Sequence, residues 1–178
     1  MKFTSAQVQT TATHARFEHK QTVNPYAESP MKLYQDLSSK AKGSAFEYLV
    51  SEVLIANGFA VEKPKKSTDY DRLINNKKVE IKGSLGWVTE GQITHYRFQQ
   101  IRSSQDYEIV LFLFITPDGA EIKGASKETV MENLVYQDEK GFWPHNQHGG
   151  KRVNSGTFCI DVSGPSDVSW MRPIEDLF

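Results

Sequence analysis

The sequence predicts an α/β protein with a central mixed sheet that is flanked by helices on both faces. The run 107–115 is continuously apolar and β-rich, which predicts a strand buried on both faces. In 42–58, apolar residues recur at the spacing of one helix face. Two short strand-like runs, 69–74 and 77–82, are separated by a polar dipeptide and predict a hairpin. Helix and strands therefore alternate along this part of the chain.

The predicted helix over 42–58 carries an acid beside its apolar stripe. Ser44 fits an N-cap, with Glu47 three residues later as a capping box, and Asn57-Gly58 fits a helix end. On the helical wheel Glu47 borders the apolar stripe, where a glutamate can face a site next to the core. The other role of Glu47 is the capping box alone, and the sequence leaves both open.

The predicted hairpin brings charged groups together. Side chains of a strand alternate between its faces, so Glu80 and Lys82 share one face, and we expect this charged pair to stay outside the core. A turn at Asn75-Asn76 would place Asp71 on the same surface as Glu80. Two carboxylates and an ammonium suit a hard divalent cation and an anionic phosphodiester. The alternative is that Glu80 and Lys82 form only the solvent face of an edge strand.

The order of these elements resembles the PD-(D/E)xK nuclease superfamily, which includes many type II restriction endonucleases and the Holliday-junction resolvases. A helix with a glutamate is followed by Gly-Phe, a strand, an acid on a second strand and Glu-x-Lys on a third, over roughly 42–115. The resemblance implies a restriction-endonuclease-like core. In it, Asp71 and Glu80 bind the metal, the Ile81 carbonyl is a backbone ligand, Lys82 is the catalytic lysine and Glu47 is an accessory catalytic acid. It also implies Mg²⁺ as the cofactor, with Mn²⁺ as a substitute.

The first acid departs from the pattern of the superfamily. Tyr70 stands where the pattern has proline, and Asp69 offers a second acid on the same strand face two residues before Asp71. Asp71 is preferred, but the sequence does not decide between the two aspartates.

The segment 92–102 is expected to form a helix that crosses back over the sheet. Several nucleases of the superfamily carry a glutamine after Glu-x-Lys that helps to position substrate or water. Gln92, Gln99 and Gln100 all lie in this segment, and Gln99 is preferred for that role.

A glycine-flanked polar loop within 136–156 is the candidate DNA-contacting region. Amides suit adenine, and basic groups suit guanine and phosphate. The alternative is a polar surface loop pinned by Trp143 and Pro144, and the two readings stay open. The predicted DNA-binding residues of the loop are Asn146, Gln147, His148, Lys151 and Arg152.

Composition predicts an N-terminal arm, 1–28. Length and hydrophobic content predict a single catalytic domain, 29–178, because 178 residues with 38% hydrophobic content suit one core. A single cysteine, Cys159, excludes an internal disulfide and predicts a reducing compartment. The net charge of -1 argues against a general polyanion-binding protein but not against a nuclease. The N-terminus lacks an apolar run as long as the core of a signal peptide, and no apolar segment approaches the length of a membrane span. We therefore expect a cytoplasmic protein that does not contact membranes.

The sequence therefore predicts a Mg²⁺-dependent endonuclease of restriction type that cuts double-stranded DNA as a homodimer. The resemblance to the superfamily implies 5′-phosphate ends. One alternative is a structure-selective nuclease of the Holliday-junction resolvase type. The other is a nucleic-acid-binding module that keeps the fold without turnover. The recognition site and the cut stagger do not follow from the sequence.

Overall fold

The computed structural model describes residues 24–65, 69–133 and 157–178. Within these residues the helices are α1 (Lys32–Asp36), α2 (Ser39–Ala56) and α3 (Lys127–Asn133). The strands are β1 (Val61–Glu62), β2 (Arg72–Ile74), β3 (Lys77–Leu85), β4 (Trp87–Thr89), β5 (Gln92–Arg102), β6 (Ile109–Thr116), β7 (Gly119–Ser126) and β8 (Thr157–Val162). They form a five-stranded sheet of order β1-β2-β3-β6-β7 and a three-stranded sheet of order β4-β5-β8. Short 3-10 helices follow at Pro165–Asp167 and Ile174–Asp176.

Strand β6 forms the core of the five-stranded sheet. Its residues are buried from Ile109 through Ile115, as the apolar run predicts. It pairs parallel with β3 and antiparallel with β7, so the sheet is mixed. The predicted α/β class and central mixed sheet are therefore confirmed.

The two faces of the five-stranded sheet are covered differently. Helix α2 covers one face with Phe46, Val50 and Leu54, which pack against the odd-numbered residues of β6. The other face packs against the three-stranded sheet and against Val130 of α3. Helices lie on both faces as predicted, but a second sheet supplies most of the cover on one of them.

The expected helix over 92–102 is wrong, because this segment is the strand β5. Tyr96 and Phe98 are buried at a spacing of two residues, and each ring makes an edge contact with a phenylalanine of β6. Arg97 lies between them on the more exposed side. Alternation of this kind is the pattern of a half-buried strand.

Helix α2 begins earlier than the sequence predicts. Its N-cap is Ser38, whose Oγ accepts a hydrogen bond from the backbone N–H of Ala41 at 3.3 Å. Ser44 therefore lies inside the helix and caps nothing, and Glu47 is not part of a capping box. The predicted end is confirmed, since the helix stops before Asn57 and Gly58 has a φ of 84°.

The hairpin predicted for β2 and β3 is confirmed. The two strands pair antiparallel, and the turn between them is Asn75-Asn76. These residues have φ values of 46° and 66°, a left-handed conformation that asparagine tolerates better than most residues. The turn sets the register in which Arg72 lies opposite Val79.

Most of the predicted arm, 1–28, lies outside the described residues. Its last five residues, 24–28, form a turn that packs on the core. Tyr26 is fully buried, donates a hydrogen bond to the Ile115 carbonyl at 2.7 Å and accepts one from the Gly86 N–H at 2.9 Å. Burial raises the pKa of Tyr26 to about 12. None of the helices in the described part of the chain has the length and apolar character needed to span a bilayer.

Candidate active site

Strand β3 carries a buried pair of opposite charges. It lies between β2 and β6 in the sheet, and its pairing with β2 ends at Val79, one residue before Glu80. Glu80 is 5% exposed, and the Lys82 Nζ lies 2.5 Å from the Glu80 Oε1. Both the edge-strand alternative and the expectation that this pair stays outside the core are therefore wrong. The pair is buried because it lies on the face that the three-stranded sheet covers. The strands of that sheet come from later parts of the chain.

Burial dominates the electrostatics of Glu80. It raises the pKa of this carboxyl to about 7, and the charge of Asp71 adds to the rise, while Lys82 opposes it. The hydroxyl of Tyr107 is also buried and has no hydrogen-bond partner within the described residues. Burial and the charge of Glu80 raise the pKa of Tyr107. The region around Glu80 thus contains polar groups that the described contacts satisfy only in part.

Asp71 lies where β2 separates from β3. Its backbone N–H donates to the Val79 carbonyl at 2.9 Å, and its Oδ2 accepts the Ile81 N–H at 2.8 Å. The Asp71 carboxylate therefore accepts the hydrogen bond that a backbone carbonyl would accept if the pairing of β2 with β3 continued. The N–H and C=O of one strand residue point to the same side, so the Ile81 carbonyl lies on the edge that Asp71 occupies. Asp69, the alternative first acid, is exposed.

Arg72, which was not predicted from the sequence, holds the predicted site residues in place. This arginine is 8% exposed. Its Nε donates to the Ser51 Oγ at 2.8 Å, and its Nη1 donates to the Glu47 Oε2 at 3.0 Å and to the Asp71 carbonyl at 2.6 Å. One guanidinium thus joins α2 to the backbone of Asp71. An arginine directly after an acid, at the start of a short apolar strand, is the signal that could have revealed it.

Glu47 lies on the opposite face of β3 from Glu80. Its side chain is 27% exposed and pairs with Arg72. Burial raises the pKa of Glu47, the charge of Asp71 raises it further, and Arg72 opposes the rise. Asp71 is close to both glutamates, because its carbonyl accepts from the arginine that pairs with Glu47 and its carboxylate accepts the N–H of Ile81, next to Glu80. The structure therefore brings together the predicted acids Glu47, Asp71 and Glu80.

A cavity of about 500 Å³ opens beside these groups. Asp71, Glu47 and Lys82 line it, together with Ile81 and the first turns of α2, whereas Glu80 is not among its lining residues. The close approach of α2 depends on Gly83, since a Cβ there would come within 2.2 Å of the Phe46 ring. The cavity also has basic and amide groups, from Lys40, Lys42, Arg97, Gln99 and Gln100.

The predicted DNA-binding residues are only partly described. Gln99 lines the cavity, as does its neighbour Gln100. Gln100 was an alternative to Gln99, whereas Lys40 and Lys42 of the cavity were not predicted from the sequence. The predicted loop residues Asn146, Gln147, His148, Lys151 and Arg152 lie outside the described residues.

The described acids suit a divalent cation that needs few protein ligands. In 24–65, 69–133 and 157–178, no three side chains of histidine, cysteine, aspartate or glutamate converge as a metal cluster. Two carboxylates, Asp71 and Glu80, and the Ile81 carbonyl are the available oxygen donors. Mg²⁺ binds in this way, because it keeps several waters and takes one or two carboxylates together with substrate phosphate.

Comparison with known proteins leaves the reaction open. No protein-family model and no curated protein matches the chain. Among solved structures, the chain is similar to a bacterial homing endonuclease, with 16% identity and a TM-score of 0.43, over 79% of this chain and 86% of the other. A similarity of this size says nothing about the reaction, which has to be judged from the site itself.

Proposed function

We propose that the protein is a metal-dependent endonuclease of restriction type that hydrolyses phosphodiester bonds of double-stranded DNA as a homodimer. The observation that carries the proposal is the buried Glu80–Lys82 pair on an interior strand, next to Asp71. Burial of a carboxylate and an ammonium costs free energy. Proteins keep perturbed ionisable groups of this kind mainly where chemistry needs them.

The oxygen donors of the site fit Mg²⁺, with Mn²⁺ as a substitute. Asp71, Glu80 and the Ile81 carbonyl would hold the ion. The raised pKa of Glu80 indicates that Lys82 alone does not offset the burial of its charge. When bound, the cation would supply Lewis acidity to the phosphate and to the attacking water.

Lys82 can serve both Glu80 and the substrate. Its ammonium pairs with Glu80 on one side, and the same side chain lines the cavity. A phosphate in the cavity would offer the ammonium a second anionic partner. Lys82 would then orient the attacking water and stabilise the negative charge that develops around phosphorus.

Arg72 acts as a positioning residue. It contacts Glu47, Ser51 and the backbone of Asp71, and it does not line the cavity. Through these bonds it fixes the angle at which the Asp71 carboxylate meets β3. A shift of about 1 Å in such a group can cost roughly a hundredfold in rate.

The basic residues of the cavity support a nucleic acid as substrate. Lys40 and Lys42 lie on the first turns of α2, and Arg97 lies on β5 across the cavity. Cations on two sides of a cavity attract a polyanionic chain, and the acids between them can then act on one of its phosphates through a bound metal ion. In this proposal the loop over 146–152 supplies further base contacts.

The test is cleavage of supercoiled plasmid by the wild-type protein, Lys82→Ala and Lys78→Ala. Lys78 is a matched control on the same strand, where it pairs with Asp106 at the surface. We expect wild type and Lys78→Ala to give discrete fragments with 5′-phosphate ends in Mg²⁺ and none in EDTA. Lys82→Ala should cut roughly 10²-fold more slowly, or slower still, because the orientation of the attacking water and the stabilisation of charge at phosphorus are both lost.

Three results would contradict the proposal. They are equal cutting by Lys82→Ala, undiminished cutting in EDTA, and no cutting by wild type in either Mg²⁺ or Mn²⁺. Cutting confined to four-way junctions would replace the restriction type with the resolvase type.

A further inference from the structure

Strand β5 contains a bulge at the mouth of the cavity. Its register with β8 shifts between Phe98 and Ile101, and Gln100 has a φ of 60°. In a regular strand, Gln99 and Gln100 would point to opposite faces. The bulge instead leaves both glutamines exposed, and both line the cavity. A left-handed backbone is unfavourable for glutamine, and such conformations and bulges are enriched next to functional sites.

Aromatic and basic groups extend this surface away from the cavity. Trp87 is 51% exposed and stacks on His95 with ring centroids 5.4 Å apart. The guanidinium of Arg97 lies 5.4 Å from the centre of the Trp87 ring, and its Nε donates to the Asp161 Oδ1 at 2.7 Å. Because Arg97 also lines the cavity, these groups and the candidate active site form one continuous surface.

The surface has the width of a strand pair. β5 pairs with β4 along 92–95 and with β8 along 96–102. At any point along β5, the surface is therefore two strands wide. A two-stranded ribbon fits the major groove of DNA. At about 3.4 Å per residue, His95 to Gln100 spans roughly 17 Å, which matches about five base-pair steps.

From these observations we propose that the outer face of β5, together with Trp87, contacts duplex DNA in the major groove beside the cleaved phosphate. Gln99 and Gln100 read base edges, because a glutamine amide can make two hydrogen bonds with adenine. Trp87 packs against the DNA, and Arg97, whose Nε and Nη2 both donate to the Asp161 carboxylate, supports the Trp87 ring from beside it. The inference rests on the proposed function and names the part of the fold that reads the substrate.

The experiment selects preferred duplexes from a pool with fourteen random base pairs, in Ca²⁺ and at fixed salt. Affinities of wild type, Gln99→Ala, Gln100→Gly and Trp87→Ala are then measured for the selected duplex and for a scrambled one. Gln100→Gly removes the amide but keeps a residue that accepts a positive φ, so the fold is retained. Tyr48→Ala is the control, because Tyr48 is an aromatic residue of α2 with 64% exposure and lies outside this surface.

We expect each glutamine variant to lose about tenfold in preference for the selected duplex, the effect of one lost base contact. Trp87→Ala should weaken binding to both duplexes about tenfold, and Tyr48→Ala should bind like wild type. Wild-type affinities in all three variants, or a wild type that selects no sequence, would overturn the inference.

Failure of this inference can be told apart from failure of the proposed function. The binding arm contains no cleavage step, so a protein that never cuts DNA can still lose affinity in the β5 variants. A wild type that cuts plasmid in Mg²⁺ while all the β5 variants bind normally would leave the nuclease in place and remove only the β5 surface.

Discussion

Two ion pairs flank Asp71, one partly buried and one more deeply buried, and they differ in the number of hydrogen bonds that hold them. Arg72 and Glu47, on the α2 face of the sheet, belong to a network in which the guanidinium has three acceptors. Glu80 and Lys82, on the other face, are held by their contact with each other, and the pKa of Glu80 is raised to about 7.

This difference indicates two roles. A charge that has several hydrogen-bond acceptors in the folded protein is held in place without a ligand. A buried carboxylate whose burial outweighs its single cationic contact gains when another cation arrives. The Arg72 network therefore acts as a clamp, and the Glu80–Lys82 pair is the part that changes when metal and substrate bind.

The largest expected effect separates the two pairs by activity. Lys82→Ala should reduce plasmid cleavage by roughly 10²- to 10⁴-fold, the usual range for loss of a group that transfers or orients a proton. Its thermal midpoint should fall less than that of an Arg72 variant, because the unpaired Glu80 can take up a proton, since burial already raises its pKa to about 7. Both are measured on the same preparations, by single-turnover cleavage in Mg²⁺ and by thermal unfolding. A Lys82→Ala protein that cuts normally would end the assignment.

The next effect concerns stability. Arg72→Ala leaves Glu47 partly buried without its cation and should lower the free energy of unfolding by about 3 to 5 kcal/mol. Arg72→Lys keeps the charge but cannot form the same fork of hydrogen bonds, so it should recover only part of the loss. Urea unfolding in EDTA gives the free energies. If Arg72→Ala unfolds like wild type, the clamp does not exist.

A third prediction uses pH. In metal-free protein the folded pKa of Glu80, about 7, lies above its ordinary value of 4.5, so between these pH values the folded state holds a proton that the unfolded state has released. The free energy of unfolding should therefore fall as the pH rises from 4.5 to 7. Glu80→Gln should flatten this dependence, and Mg²⁺ should reduce it. Glu47 contributes a slope of the same sign, because its pKa is also raised.

The metal-free slope is measured by urea unfolding at several pH values in EDTA, with Glu47→Gln as the companion variant. A slope that is identical in wild type and Glu80→Gln would show that Glu80 does not take up the proton.

Features set by local chain geometry could be predicted from the sequence. The hairpin of β2 and β3 depends on Asn75-Asn76, whose left-handed backbone is a property of the turn itself. The buried strand β6 is a continuous apolar run. The alternation that places Glu80 and Lys82 on one face follows from strand geometry alone.

Features set by distant contacts could not be predicted. Glu80 is buried because β5 and β8 cover that face, and the sequence from 92 onward reads as helix until Tyr96 and Phe98 are seen to pack on β6. Arg72 was missed because its acceptors on α2 lie 21 and 25 residues earlier in the chain. The N-cap was misplaced because two serines, Ser38 and Ser44, both fit a helix start locally.

The smallest expected effect tests the outer part of the clamp. Ser51 Oγ accepts the Arg72 Nε at 2.8 Å and donates to the Glu47 carbonyl at 2.7 Å. Ser51→Ala leaves the Arg72 Nε–H without its acceptor in a buried position, so the free energy of unfolding should fall by about 1 to 3 kcal/mol. Part of this loss is offset, because alanine is the better helix former.

Ser44→Ala is the matched control for Ser51→Ala, since both serines lie on α2 and Ser44 is exposed. As an interior helix position, Ser44→Ala should be neutral or stabilising by a few tenths of a kcal/mol. As an N-cap it would instead lose about 1 kcal/mol. Urea unfolding of the two variants therefore shows whether Ser51 stabilises the fold through Arg72 or Ser44 stabilises it as an N-cap. If Ser44→Ala is the destabilised variant and Ser51→Ala is not, α2 starts at 44 as its sequence pattern suggests, and the bond from Arg72 to Ser51 does not stabilise the fold.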